Sequence, residues 1–303
     1  MFSTIKFLSS LIIALSLSST SFAEIQKSAE SVSINQKLSQ LESSSGGRIG
    51  VYAINTANNT HLGYRATERF PMACTSKVMG VAAVLKKSMK DKSLLAQKIT
   101  YTKSDLTNWA PITEKNLNTG MSVKALCAAA ISYSDNTAMN LLLKQLGGVK
   151  GMNAFARTIH DDMFQQTHDW PGEAMSGGQH NSDDSSTPAA MANSLKRLAF
   201  TDVLAKPQRE LLLTWLRANT TGNSRIRAGV PQGWLVGDKT GSGFYYGTTN
   251  DIAIIWPPKC APIVMAVYYT SNNKEAPKRG DIVASATRII LDEFAQRDSC
   301  LES

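Results

Sequence analysis

The last third of the chain limits its possible folds most sharply. "WLVGDKTG", "DIAIIWP" and "PIVMAVYYT" are three β-rich runs separated by short turns. Connections this short read as an antiparallel meander, because a parallel pair needs a long crossover. An earlier run, "RIGVYAIN", alternates as a further strand with Ile49, Val51 and Ala53 on one face. Helical stripes flank these strands. Ile34, Leu38 and Leu41 recur at helical spacing before "SSSGG", and Val283, Ala286, Ile290 and Phe294 face inward along a last helix.

Between the strands, from about residue 74 to 217, the pattern is mostly helical. Val78, Val81, Ala82 and Leu85 make one stripe, "SVKALCAAAISY" reads as a buried helix, and "NTAMNLLLKQLGG" as another ended by Gly147 and Gly148. No internal repeat interrupts this order. Helix, strands, long helical insert, strands and helix predict an α+β protein. Its α/β part takes residues 24–66 and 218–297, its all-helical subdomain residues 67–217, and an active site is expected at the seam.

The first 23 residues stand apart. "MFSTIKFLSSLIIALSLSSTSFA" carries Lys6, an apolar run and the small pair Ser21 and Ala23. That is the pattern of a secretory signal peptide cut after Ala23, too short for a membrane span. Export to a periplasmic or extracellular space follows, with no membrane attachment afterwards. Losing Lys6 lowers the formal net charge from +8 to +7. The remaining basic residues are scattered, which argues against nucleic acid and allows a mild preference for anionic small molecules.

The four cysteines, Cys74, Cys127, Cys260 and Cys300, lack metal-ligand spacing, and four histidines are too few to suggest a zinc site. Cys260 and Cys300 could pair in an oxidising compartment. Cys127 lies in an apolar run and reads as a buried small hydrophobe. Cys74 is left as the candidate free thiol.

Three short motifs then matter: "CTSK" at 74–77, "SDN" at 134–136 and "KTG" at 239–241. Cys74 opens a helix, where unpaired N–H groups favour a thiolate. Lys77, three residues on, rises on the same face. Ser134 and Asn136 sit between two helices, positioned to point into a cleft. Lys239 and Thr240 end a strand and supply a cation and a hydroxyl, and Arg225 can add a second cation nearby.

In this order and spacing the motifs resemble the class A β-lactamase family. The resemblance runs from about Ile34 to Ala295 through "GGRIGVYAINT", "ITEKNL", "YSDNTAMNLLL", "NTTGNSRIRAGVP", "WLVGDKTGSG" and "YGTTNDIAIIWP". The extended-spectrum and carbapenem-hydrolysing branches look nearest. The resemblance implies a five-stranded antiparallel sheet flanked by helices, a monomer, a β-lactam substrate and no cofactor or metal. It makes Lys77 the acylation base and Ser134 the proton relay to the lactam nitrogen. Asn136 would hold the substrate amide, and Lys239, Thr240 and Arg225 its carboxylate. The backbone N–H groups of Cys74 and Ser242 would form the oxyanion hole, and Trp109 would guard the cleft mouth.

Two departures are plain. The family nucleophile is serine in S-x-x-K, and here the matching residue is Cys74. Ser76 cannot replace it, since it lies directly before Lys77 on another helix face. The second departure is the loop "FQQTHDWPGEAMSGGQHNSDDSSTP", where the family has Arg-x-Glu-Pro-x-x-Asn. Anchored on Phe164 and Pro171, His168 stands at the Arg, Trp170 at the water-activating Glu and Ala174 at the Asn. Asp184 matches the loop-closing aspartate and can pair with His168. Asp169 and Glu173 are candidate substitute bases. Three readings stay open: an atypical β-lactamase acting through a Cys74 thioester, a non-turnover trap or sensor, and an inactive scaffold binding a peptidoglycan-like ligand.

Overall fold

A computed structural model of the protein describes residues 33–171 and 183–301. The expected signal segment and residues Glu173 and Ala174 lie outside the described residues.

Helix α1 (Ile34–Ser45) leads into strands β1 (Gly47–Asn55), β2 (His61–Tyr64) and the two-residue β3 (Phe70–Pro71). The helical stretch follows: α2 (Lys77–Ser88), then the short β4 (Lys98–Ile99) and β5 (Met121–Ser122), then α3 (Val123–Ser132), α4 (Asn136–Leu146) and α5 (Val149–Thr158). After β6 (Ser185–Ser186) come α6 (Pro188–Phe200), α7 (Lys206–Arg217) and the single turn α8 (Ile226–Gly229). The meander β7 (Leu235–Ser242), β8 (Thr249–Trp256) and β9 (Ile263–Ser271) precedes α9 (Gly280–Ala295).

Among the described residues these strands build a five-stranded sheet in the order β2-β1-β9-β8-β7, antiparallel throughout. The meander forms as its short turns require. The early strand β1 docks beside β9, setting Val51 opposite Val267. Burial on both faces explains why residues 252–256 of β8 and 263–269 of β9 are apolar without a break. Ile252, Ile254, Val264, Ala266 and Tyr268 face the cluster that also holds Val78, Leu85, Leu126 and Leu142 of the helices. Ala253, Ile255, Met265 and Val267 face the other cluster, under Leu38 of α1 and Val283, Ala286, Ile290 and Phe294 of α9. A sheet covered on both faces has no polar side to show.

Local chemistry sets the helix ends. Ser122 and Asp135 cap α3 and α4, accepting from Ala125 N at 3.2 Å and Ala138 N at 2.8 Å. Gly147, at φ 78°, ends α4 in the left-handed conformation. Helix α2 departs from the one-stripe expectation, for Lys77 through Leu85 are all buried. Helices α3, α4, α5 and α7 all pack against it. The pairs β3–β6 and β4–β5 were not foreseen, since two residues are too few to show a period. Cys260 and Cys300 form a disulfide, while Cys74 and Cys127 are free and buried.

Candidate active site

The turn carrying Cys74 is held from several directions. Ala73 adopts φ 48°, a left-handed conformation that costs a non-glycine residue on the order of 1–2 kcal/mol. Cys74 follows in a 3-10 turn (Ala73–Ser76) that runs directly into α2. The Thr75 and Ser76 hydroxyls donate to the carbonyls of Met72 and Ala73 at 2.8 and 2.9 Å. Asn250 Nδ2 donates to Pro71 O at 2.7 Å. Gly241 of β7 presses so closely that an added Cβ would lie 2.6 Å from Met72 O. Glycine at the third position of "KTG" is what lets the sheet edge meet the turn that carries Cys74.

On the opposite side, the segment between α3 and α4 is fixed by Asp135. Its buried carboxylate accepts from Ile112 N, Thr113 N, Thr113 Oγ1 and Ala138 N, at 2.8 to 3.0 Å. Ser134 is left-handed at φ 58°. Asn136 is not in a free loop, as expected, but is the first residue of α4. Its N–H donates to Trp109 O at 2.8 Å, and its side chain donates to Asn108 Oδ1 at 3.2 Å.

The polar groups converge on one buried space. Lys77 Nζ donates to Asn136 Oδ1 at 2.6 Å and Ser134 O at 2.7 Å. Cys74 Sγ lies 3.9 Å from Asn136 Oδ1. Lys239 Nζ donates to Ser134 Oγ at 2.9 Å, and the Thr240 and Thr221 hydroxyls meet at 2.5 Å. Arg225 is engaged by backbone as well as by a side chain. It donates to Gly241 O at 2.6 Å, Asn250 O at 2.5 Å and Ser242 Oγ at 2.6 Å. It thus braces the strand end that carries Ser242.

Burial and charge oppose one another here. Burial pushes the Cys74 thiol up, but the nearby Lys77 and Lys239 cations outweigh it, so its pKa falls below the ordinary thiol value. Burial lowers Lys77, against the opposing pull of Cys74 and Asp135. Burial also lowers Lys239, to about 7, although the Cys74 charge works the other way. The site holds a thiol inclined to ionise beside amines inclined to lose a proton.

A cleft of about 290 Å³ opens over this group. Cys74, Ser134, Asn136, Arg225, Thr240 and Ser242 line it, with Trp109, Phe244 and Lys278 among the other lining residues. Trp109 is 53 % exposed at the mouth, its indole N–H donating to Tyr133 O at 3.0 Å. Among the described residues no carboxylate lines the cleft.

The described residues 167 and 168 of the altered loop are held by Asp184. That carboxylate accepts from Thr167 N at 2.6 Å and His168 N at 3.0 Å, and pairs with His168 Nδ1 at 2.8 Å. Trp170 turns inward and is 3 % exposed. Its backbone is clasped by Asn140, with Trp170 N donating to Asn140 Oδ1 at 2.9 Å and Asn140 Nδ2 donating to Trp170 O at 2.5 Å. Its ring lies 5.6 Å from Lys77 Nζ. Asp169 is exposed and is not a cleft-lining residue. Alternation along the segment sends Trp170 in and its neighbour Asp169 out.

Sequence reasoning missed Asp135, Asn140, Thr221 and Lys278. The Asp135 cap was visible as the middle residue of "SDN" before an apolar run. Nothing in the sequence marked the other three, which join the site only through packing.

Residues 33–294 match the model of the β-lactamase enzyme family. The β-lactamase Toho-1 of Escherichia coli is 50 % identical over 275 residues, covering 90 % of this chain and 93 % of the relative. A β-lactamase of Proteus vulgaris is 50 % identical over 262 residues, covering 86 % of this chain and 96 % of the relative. The solved class A β-lactamase of Mycobacterium abscessus superposes with a TM-score of 0.84 at 44 % identity, covering 87 % of this chain and all of that one.

Proposed function

Because the chain belongs to the β-lactamase enzyme family, as a class A member, we propose that it hydrolyses β-lactams through a thioester on Cys74 and releases the product slowly. The observation that carries this reading is the buried set of Lys77, Ser134, Asn136 and Lys239 packed around a lowered thiol at the floor of an open cleft.

The substrate carboxylate pairs with Lys239 and Thr240, on the wall braced by Arg225. Asn136 holds the substrate amide, and Trp109 packs against the side chain at the mouth. Lys77 takes the Cys74 proton, and the thiolate attacks the lactam carbonyl. The N–H groups of Cys74 and Ser242 hold the oxyanion. Ser134, oriented by Lys239, passes its hydroxyl proton to the departing ring nitrogen as the C–N bond opens, and is reprotonated from Lys77, which returns to the neutral amine. Release is the weak step. Trp170 stands where the family has its water-activating glutamate, and losing a positioned base typically costs about 10²–10⁴-fold.

The Trp170 substitution favours a second reading, a trap whose thioester persists. The Cys260–Cys300 disulfide accords with an oxidising, exported setting for either. Among the described residues no helix is long and apolar enough to cross a membrane. Intact mass and steady-state turnover with a chromogenic cephalosporin test the proposal. A Cys74 adduct that forms quickly and decays slowly is expected. An adduct that never decays selects the trap, and neither adduct nor turnover removes both acylation readings. If Cys74→Ser also fails to release product, the loop at 168–171 limits turnover rather than the sulfur.

A further inference from the structure

The two sides of Cys74 offer different things to an incoming nucleophile. The inner side holds Lys77, with the buried Trp170 ring 5.6 Å from its amine. The nearby carboxylates are engaged or fully buried away from the cleft lining, as Asp251 is, accepting from Ile226 N at 3.1 Å. Asp135 caps α4 and binds the Ile112–Thr113 backbone. Asp238 accepts from Arg227 Nε at 2.6 Å and Asn219 Nδ2 at 2.5 Å. Water at a Cys74 thioester therefore meets no carboxylate base among the described residues. An amine needs less help, being the stronger nucleophile, and thiolate is a good leaving group.

The outer side is the cleft, and its charge selects among amines. Arg225 and the exposed Lys278 line it, and the buried Lys239 donates to the lining residue Ser134. A simple alkylammonium is repelled by such a field, whereas a molecule that also bears a carboxylate is drawn in. With the lactam carboxylate on Lys239 and Thr240, Lys278 at the rim is left for the acceptor.

We propose that the Cys74 thioester is also resolved by transfer to the α-amine of a small amino acid, held by its carboxylate at Lys278. The inference rests on the acylation reading above. The free amine nitrogen attacks the thioester carbonyl and the C–S bond breaks. Cys74 leaves as thiolate, and the surplus N–H proton passes to the Lys77 amine. The product is an N-acyl amino acid, and no oxidant or reductant is involved.

The test uses benzylpenicillin as donor, with glycine and ethylamine as acceptors matched in free-base concentration. Products are identified by mass spectrometry, and the Cys74 adduct is followed by intact mass. Glycine is expected to divert product from penicilloic acid to penicilloyl-glycine at least about tenfold better than ethylamine. Lys278→Ala should cut this preference several-fold, and the adduct unfolded in urea should show none. Penicilloic acid alone in the presence of glycine overturns the proposal and leaves the acylation reading standing. Equal use of the two amines by the folded protein, or an unchanged preference in Lys278→Ala, overturns it as well. Absence of both adduct and product overturns this proposal and the acylation reading together.

Discussion

Trp170→Glu asks directly whether the loop limits turnover. The indole is 3 % exposed, and replacing a buried Trp costs about 3–5 kcal/mol when nothing refills the space. Against a typical stability of about 5–15 kcal/mol that lowers Tm, so folding of the variant is checked first by its thermal melt. The new carboxylate would lie near Lys77 Nζ, now 5.6 Å from the ring centroid. At an effective dielectric of about 20, opposite charges at that distance attract by about 3 kcal/mol. That corresponds to about two pKa units, raising Lys77 and holding the glutamate ionised against its burial. An ionised base there should hasten release by about 10²–10⁴-fold, or about 3–5 kcal/mol off the barrier. The adduct lifetime after a pulse of benzylpenicillin, read by intact mass below the variant's Tm, measures it. Trp170→Gln has nearly the same bulk as the glutamate and no basicity, so it separates opening space from adding a base. A folded Trp170→Glu whose adduct lives as long as the parent's, or as long as that of Trp170→Gln, would refute the reasoning.

Lys239 sits at about 7 because burial disfavours its charge, and the protonated form is the one that binds a carboxylate. KM for an anionic penicillin should therefore rise with pH above about 7, approaching tenfold per unit, and a flat profile up to pH 9 would contradict the assignment. Alkylation should separate the two free thiols. Cys74 is lowered by its lysines despite burial, whereas burial alone pushes Cys127 up. Iodoacetamide should label Cys74 with a rate midpoint below the ordinary thiol pKa and leave Cys127 untouched in the folded protein, as peptide mapping would read. The Cys260–Cys300 bridge closes a loop with a sequence separation of 40. By chain entropy, Cys260→Ser with Cys300→Ser should lose up to about 4 kcal/mol in urea denaturation, and an unchanged midpoint would contradict that.

Much of the architecture was legible because periodicity is local. The three β-rich runs, the stripe from Val283 to Phe294 and the Gly147 stop each follow from neighbours within a few residues. The pairing of β1 with β9, more than two hundred residues away, comes from a match of buried faces that no local pattern records. The site divides the same way. "CTSK", "SDN" and "KTG" could be picked out by type and spacing. The bond of Lys239 to Ser134 and the engagement of Arg225 with Gly241, Asn250 and Ser242 could not.

The chemical groups on offer are legible along the chain: the Cys74 thiol, the Lys77 and Lys239 amines and the Trp170 indole. What those groups do to one another follows from packing. The fold packed Lys77, Lys239 and Cys74 into one buried space, where loss of solvent lowers the amines and their charges lower the thiol. It also turned Trp170 inward beside Lys77 and Asp169 outward. Proton affinity and reach depend on distance and burial, and these arise when segments remote in the chain are pressed together.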